Sequence, residues 1–266
     1  MKSDSGRPRA PTGAGREDRL NAPGPVAGVP GPGRWLVFEY VPVGLFSLKS
    51  SRATSAVGIT LLVPTPYAVK MAFVDAAFRA GFPDALCGSL LESLSRVEIR
   101  LSPPARAVIT RTFVKIRQES RQGDPLRPYG PNVAYREFVH FAGRWRWAFD
   151  LGLLEDHIAE VLVECAPHVN YVGKRGSFVQ YDGVYRLPNL DAAFTEPTNG
   201  PAEWTIPPRA HIAELDDFGP DATLDVLSSF SPADAKAGRH RVFVRTVIPL
   251  GLVNTGPGFR EYSMWV

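Results

Sequence analysis

Between Tyr171 and Phe178 the chain reads Tyr-Val-Gly-Lys-Arg-Gly-Ser-Phe, a set of residues suited to holding an anion. Gly173 and Gly176 permit a sharp turn that presents backbone N–H groups outward, while Lys174, Arg175 and the Ser177 hydroxyl add charge and hydrogen bonding at the same place. Taken alone, such a loop reads as an ordinary connection whose basic side chains are solvated. Position changes that reading, because the loop falls in the last helix-to-strand connection of a predicted β-α-β-β-α-β unit. There it is expected near the start of the first helix, whose free N–H groups and dipole also favour negative charge. A nucleic-acid backbone is the anion to look for.

A second group of residues points the same way. The loop before the first helix carries Ser47, Lys49, Ser50, Ser51 and Arg52, so two polar, basic loops are expected to converge on one phosphate track. The segment from Pro103 to Asn132 holds Arg106, Arg111, Lys115, Arg117, Arg121 and Arg127, with Tyr129 and Tyr135 near its end. Strand alternation places Arg111, Phe113 and Lys115 on one face and Thr110, Thr112, Val114 and Ile116 on the other. A protruding hairpin with one basic, aromatic face is a means of gripping single-stranded RNA, with charges on phosphates and rings under bases. The plainer alternative is an exposed hairpin with solvated charges. Arg144-Trp145-Arg146-Trp147 alternates strictly, and the expected arrangement is tryptophans in the core and arginines in water.

Catalytic chemistry has thinner support. Metal-free RNA cleavage needs a base for the 2′-hydroxyl and an acid for the leaving oxygen. Of the five histidines, His140 is the candidate, since its strand adjoins the basic segment; a structural or surface role is the expectation for each. Nothing matches metal-ligand spacing, a nucleophile elbow or a phosphate-binding Walker loop, so no metal and no cofactor is expected.

Behind these residues stand the elements that must position them. Trp35 to Val43 reads as a first strand. Thr65 is a good N-cap with Pro66 at the first helical position, and apolar residues recur at helical spacing until Gly81 stops the helix. Arg96 to Leu101 and Ala107 to Ile116 are strand-like, and Arg136 to Asp150 is a third β-prone region whose Ala142-Gly143 is a turn or a bulge. Leu153 to Ala166 forms the second helix, followed by the basic loop and a strand from Ser177 to Tyr181. The order is that of an α+β, ferredoxin-like or RNA-recognition fold over residues 35–187, with a β-hairpin thumb at about 103–132. Only Arg241 to Gly251 and Phe259 to Val266 look like strands further on, so residues 188–266 are expected to be an acidic, β-rich extension.

Charge follows this division. Arg96 to Arg136 nets +6 and Leu187 to Asp234 nets −8, so the overall +3 conceals a dipolar chain. A basic stretch beside an acidic one fits a protein that holds a polyanion on one side, although ordinary surface variation is an equal reading. Residues 1–34 are Gly-, Pro- and Arg-rich with almost no large apolar side chain, and are expected to be a disordered basic arm. Cys87 and Cys165 make no disulfide framework, and neither a membrane span nor a secretory h-region is seen, so a cytoplasmic setting is expected.

In its order of motifs the chain resembles the RAMP proteins of CRISPR systems, most of all the Cas-five-type subunits of type I Cascade effector complexes. Leu62 to Phe78, the Tyr-Arg-Glu-Phe of 135–138, and Asn170 to Gln180 carry the resemblance, which spans roughly residues 35–185. It implies an RNA-recognition-type domain that binds the 5′ handle of CRISPR RNA at one end of a backbone filament. Gly173 to Ser177 would match the family's glycine-rich loop, Pro64 to Pro66 the turn into the first helix, and Arg106 to Arg127 the thumb. The implied partners are CRISPR RNA, the backbone and large Cascade subunits, and target DNA through the complex. Some members cleave the CRISPR RNA precursor with Tyr, Lys and His side chains, and no such set aligns here. The N-terminal arm and the acidic C-terminal section depart from the family pattern. The leading expectation is therefore a non-catalytic RNA-binding subunit; the alternatives are a metal-independent endoribonuclease of the same fold and a scaffold that touches no RNA.

Overall fold

The computed structural model describes residue 29 and residues 33–50, 57–119, 129–198, 210–227 and 235–265. Most of the expected N-terminal arm lies outside these residues, as do Arg52, Arg121 and Arg127.

The first strand, β1 (Trp35–Pro42), shows how the sequence builds its layers. Leu36, Phe38 and Tyr40 point to one side and are wholly buried with the helices, while Trp35 and Val37 point to the other side and belong to a separate, smaller core. After the short β2 (Val57–Gly58) comes α1 (Pro66–Arg79), capped as its sequence predicts: Ala68 N–H donates to Thr65 Oγ1 at 3.2 Å, with Pro66 in the first turn. Gly81, at φ +80°, ends it. Then α2 (Asp84–Arg96) leads to β3 (Ile99–Ser102), β4 (Arg106–Glu119), β5 (Tyr129–Ala142), β6 (Trp145–Asp150), α3 (Asp156–Cys165) and β7 (Val179–Leu187). β1, β3, β6 and β7 form one four-stranded sheet in the order β3-β6-β1-β7, with every neighbouring pair antiparallel. The first and last links of that series, β1 to β3 and β6 to β7, run through helices.

α1 packs its aromatic Phe73 against Phe38 and Phe149, with ring centroids 5.0 and 5.1 Å away, and Tyr40 stacks on Trp147 at 4.2 Å. The Tyr40 hydroxyl donates to the Ala166 carbonyl at 2.9 Å, tying the end of α3 to the sheet. Both tryptophans of the Arg-Trp-Arg-Trp run are buried. The two arginines are engaged rather than simply solvated: Arg144 pairs with Asp182, and Arg146 lies over the Phe194 ring at 4.8 Å and donates to Ser102 Oγ at 2.8 Å.

Within residues 84–150 three elements differ from the sequence expectation. Residues 84–96 form a helix, α2, placing Cys87, Leu90, Leu91 and Leu94 in the core; its glycine and three serines weaken its intrinsic signal, and no side chain caps its start. The third β-prone region is two strands in different sheets, because Gly143, at φ +125°, redirects the chain between β5 and β6. The hairpin is longer than its expected bounds: β4 and β5 pair in unbroken register from Arg106↔Ala142 to Glu119↔Tyr129.

The C-terminal region holds more strands than the two expected: β8 (Glu196–Pro197) and β9 (His211–Phe218) are additional, the run from Arg241 divides into β10 (Arg241–Ile248) and β11 (Leu250–Gly256), and β12 (Phe259–Met264) follows. β8, β10 and β9 make a three-stranded sheet, while β11 and β12 extend the hairpin into a five-stranded sheet, β11-β12-β4-β5-β2. Leu215, Phe218, Ile248, Leu250 and Tyr262 share one core cluster with Leu36 and Phe38. The acidic character of this region is partly consumed inside the fold. Lys70 of α1 is fully buried, and its Nζ lies 2.7 Å from Asp217 Oδ1. Burial pushes the Lys70 ammonium down and the Asp217 carboxyl up, each partly countered by the other's charge. Asp216 pairs with Arg241 at 2.5 Å, and Arg241 lies over the Tyr67 ring at 4.8 Å.

No helix among the described residues is long and apolar enough to cross a membrane.

Candidate nucleic-acid interface

The glycine-rich loop is built by hydrogen bonds that leave its tip without a partner among the described residues. Val172 N–H donates to the Ser177 carbonyl at 3.1 Å, Lys174 N–H to Val172 at 2.9 Å and Ser177 N–H to Lys174 at 3.0 Å. Gly173 (φ +70°) and Gly176 (φ +102°) take up the left-handed backbone that this tight path requires. The N–H groups of Gly173, Arg175 and Gly176 have no acceptor among the described residues, and the Lys174 and Arg175 side chains are exposed.

Ser177 is different: it is buried and its hydroxyl faces the loop after β1. Ser47 N–H donates to Ser177 Oγ at 3.2 Å, and Val43 N–H to the Phe178 carbonyl at 3.1 Å. Gly173 lies so close to that loop that a Cβ on it would sit 2.9 Å from Leu48 Cδ1; it would also sit 3.6 Å from the Ala68 Cβ in the first turn of α1. The structure thus brings together three features: the glycine-rich loop, the loop bearing the exposed Lys49, and the helix start. At an α-helix N-terminus the unsatisfied N–H groups and the dipole add to the positive field of Lys174 and Arg175.

The same loop after β1 also reaches the hairpin. The Ser47 hydroxyl donates to the Glu137 carbonyl at 2.9 Å, and Phe46 exchanges backbone hydrogen bonds with Val139 at 2.7 and 2.9 Å. Segment 46–48 is therefore a splint between the base of β5 and the glycine-rich loop.

On the hairpin the predicted basic residues separate into two kinds. Arg111 Nη2 pairs with Glu137 Oε1 at 2.8 Å, and Arg106 pairs with Glu261 at 2.5 Å. Both guanidiniums thus have internal partners. Lys115 and Arg117 are exposed and have no carboxylate partner among the described residues. The register sets Phe113 opposite Tyr135, with ring centroids 3.9 Å apart and both rings exposed, on the face that carries Lys115 and Arg117. His140 falls on the other face of β5, opposite Val108, so the hairpin separates it from the basic, aromatic side. No group of three or more His, Cys, Asp or Glu able to hold a metal ion occurs among the described residues.

Glu137 was not singled out in the sequence. It is 2% exposed and accepts from Arg111, from Arg260 at 2.7 Å and from the Thr60 N–H at 3.1 Å, joining β4, β12 and the strand-like segment after β2. Its only sequence signal is its place in the Tyr-Arg-Glu-Phe run, where a lone acid sits among basic neighbours.

The outer face of the four-stranded sheet, opposite the helices, is closed at one end by residues 188–197. Phe194 is buried with Trp35, Val37 and Ala148. Thr195 fixes the segment to the edge strand: Leu101 N–H donates to Thr195 Oγ1 at 2.9 Å, and Thr195 N–H to the Leu101 carbonyl at 2.7 Å.

No family model matches the chain, and no curated protein sequence matches it. Among solved structures it is similar to a CRISPR protein from Archaeoglobus fulgidus, with a TM-score of 0.42 and 12% identity over 87% of this chain and 92% of that one. It is also similar to a chain of a CRISPR RNA-guided surveillance complex, with a TM-score of 0.45 and 15% identity over 80% of this chain and 89% of that one.

Proposed function

We propose that this chain is a CRISPR RNA-binding subunit of a type I Cascade-like complex, holding the 5′ handle of the guide and capping the backbone filament. In this reading the four-stranded sheet with its two helical crossovers is a ferredoxin-like, RNA-recognition-type domain, and β4–β5 is its thumb. The observation that carries the proposal is the convergence of the glycine-rich loop, the Lys49 loop and the start of α1, held by the Ser47 to Ser177 hydrogen bond. Three N–H groups and two cations, all without a partner among the described residues, form a site for a phosphodiester rather than for a neutral ligand. The splint from this site to the hairpin base gives a continuous route toward Lys115 and Arg117. Base pairing in such an assembly supplies sequence specificity, so contacts to backbone and shape suffice. The protein acts as a holder of RNA, with the other Cascade subunits and, through the complex, target DNA as its partners.

Replacing Lys174 and Arg175 together by Ala tests the site. The expected result is weaker binding of a single-stranded repeat RNA and a shallower salt dependence, the slope falling by about 0.7 for each phosphate no longer neutralised. Unchanged affinity and slope overturn the assignment.

A further inference from the structure

We infer that the open end of the sheet's outer face, centred on Phe178 with Val43 beside it, is a stacking platform for an unpaired base of the strand whose phosphate lies at the glycine-rich loop. This rests on the reading of that loop as a phosphate site. β7 pairs with β1 so that Val179 faces Pro42 and Gln180 faces Val41, and the next pair outward is Phe178 with Val43. Residues opposed in an antiparallel pair share a face, so the two side chains lie together. Alternation fixes which face. Ser177 and Val179 are buried on the inner side, and Phe178 stands on the outer side at 52% exposure, with Val43 at 57%.

Apolar surface at the other end of this face is covered. Phe194 closes it over Trp35, Val37 and Ala148, but the Phe178 end carries no such cover among the described residues. Leu45, also exposed, continues the apolar strip along the loop that carries Lys49. The half-exposed Phe178 ring stands out from the apolar residues that follow it, because Val179 is buried and Tyr181, Val184, Tyr185 and Leu187 are all partly buried.

The neighbourhood selects the occupant. Phe178 follows Gly176 by two residues, at the end of the loop that carries exposed Lys174 and Arg175 and three N–H groups with no acceptor among the described residues. An apolar protein partner would gain nothing from desolvating those cations, whereas a nucleotide presents a flat π-face and a phosphate within one repeat of its backbone. Stacking on a single ring accepts any base, which suits a subunit that reads no sequence.

The test uses the full chain with short single-stranded RNAs carrying 2-aminopurine at successive positions, whose fluorescence is quenched on stacking. Phe178→Ala is expected to lower affinity by about 5- to 150-fold, the range that loss of one base–aromatic stack gives. The salt slope should stay unchanged, and quenching at one position should disappear. Phe178→Trp should restore both affinity and quenching. If Phe178→Ala binds as the parent does while Lys174→Ala/Arg175→Ala weakens, the platform is wrong and the phosphate site stands. If the Lys174/Arg175 variant also binds unchanged, the phosphate site fails and the platform with it. A Phe178→Ala loss accompanied by a changed salt slope makes the ring a support for the loop, and that too overturns the inference.

Discussion

Ser47 and Ser177 are joined across two loops that lie 130 residues apart in sequence, the Ser47 N–H donating to the Ser177 hydroxyl oxygen at 3.2 Å. The same Ser47 gives its own hydroxyl to the Glu137 carbonyl. One residue thereby sets the distance between the glycine-rich loop and the root of the hairpin. Ser177→Ala removes the acceptor and leaves the Ser47 N–H unsatisfied, which costs about 1 kcal/mol. Urea denaturation should show that loss, and RNA affinity should fall with Lys174 and Arg175 intact.

Gly173 and Gly176 both sit at positive φ, yet they differ in their surroundings. An Ala at 176 meets nothing within 4 Å, so only the backbone cost of about 1–2 kcal/mol applies. At 173 the added Cβ meets Leu48 Cδ1 at 2.9 Å as well. Gly173→Ala should therefore be the more destabilising of the two, and Leu48→Ala in the same chain should recover part of the difference. A thermal-denaturation cycle over the three variants and the double variant measures that coupling.

Glu137 is the shared counter-charge of Arg111 and Arg260 in a buried position. Glu137→Gln keeps the shape and removes the charge, leaving two partly exposed guanidiniums facing each other, at a cost of about 1–3 kcal/mol. Arg111 is released toward solvent in that variant, so RNA binding at low salt should hold or tighten while stability falls. Parallel denaturation and binding measurements separate these effects.

His211 on β9 is held below its ordinary value near 6.5, first by burial and second by the charge of Arg260. Between its folded-state value and 6.5 the unfolded chain carries more protons on this residue than the folded chain does. Stability from this group is therefore full above about 6.5 and falls as pH is lowered through that window. His211→Gln should flatten the urea midpoint between neutral and mildly acidic pH, and an unchanged pH profile would contradict the assignment.

The parts of the fold legible in the sequence were those with strong local signals. The Thr65-Pro66 start of α1, the alternation of β1 and the apolar stripe of α3 each have a local physical cause, and the structure places elements there. α2 was not legible, because Gly88, Ser89, Ser93 and Ser95 weaken it locally and its stability comes from packing Leu90, Leu91 and Leu94. β9 was missed for a related reason: Asp216 and Asp217 break a readable strand pattern, and only the tertiary partners Arg241 and Lys70 account for them. At the candidate site the basic residue types were legible, but their engagement was not. Arg106 and Arg111 look like Lys115 and Arg117 in sequence, and only the position of Glu261 and Glu137 distinguishes them. The placement of His140 depended on the hairpin register, which its longer span fixed.

The segment that closes the sheet also imposes an order on synthesis. Trp35, Val37 and Ala148 are translated well before Phe194, so a nascent chain that has already paired β1 with β6 presents an uncovered apolar face until residues 188–197 emerge. A stall or truncation ahead of Phe194 leaves that face to the chaperones, and the yield of folded protein should depend on how soon this short stretch follows the sheet.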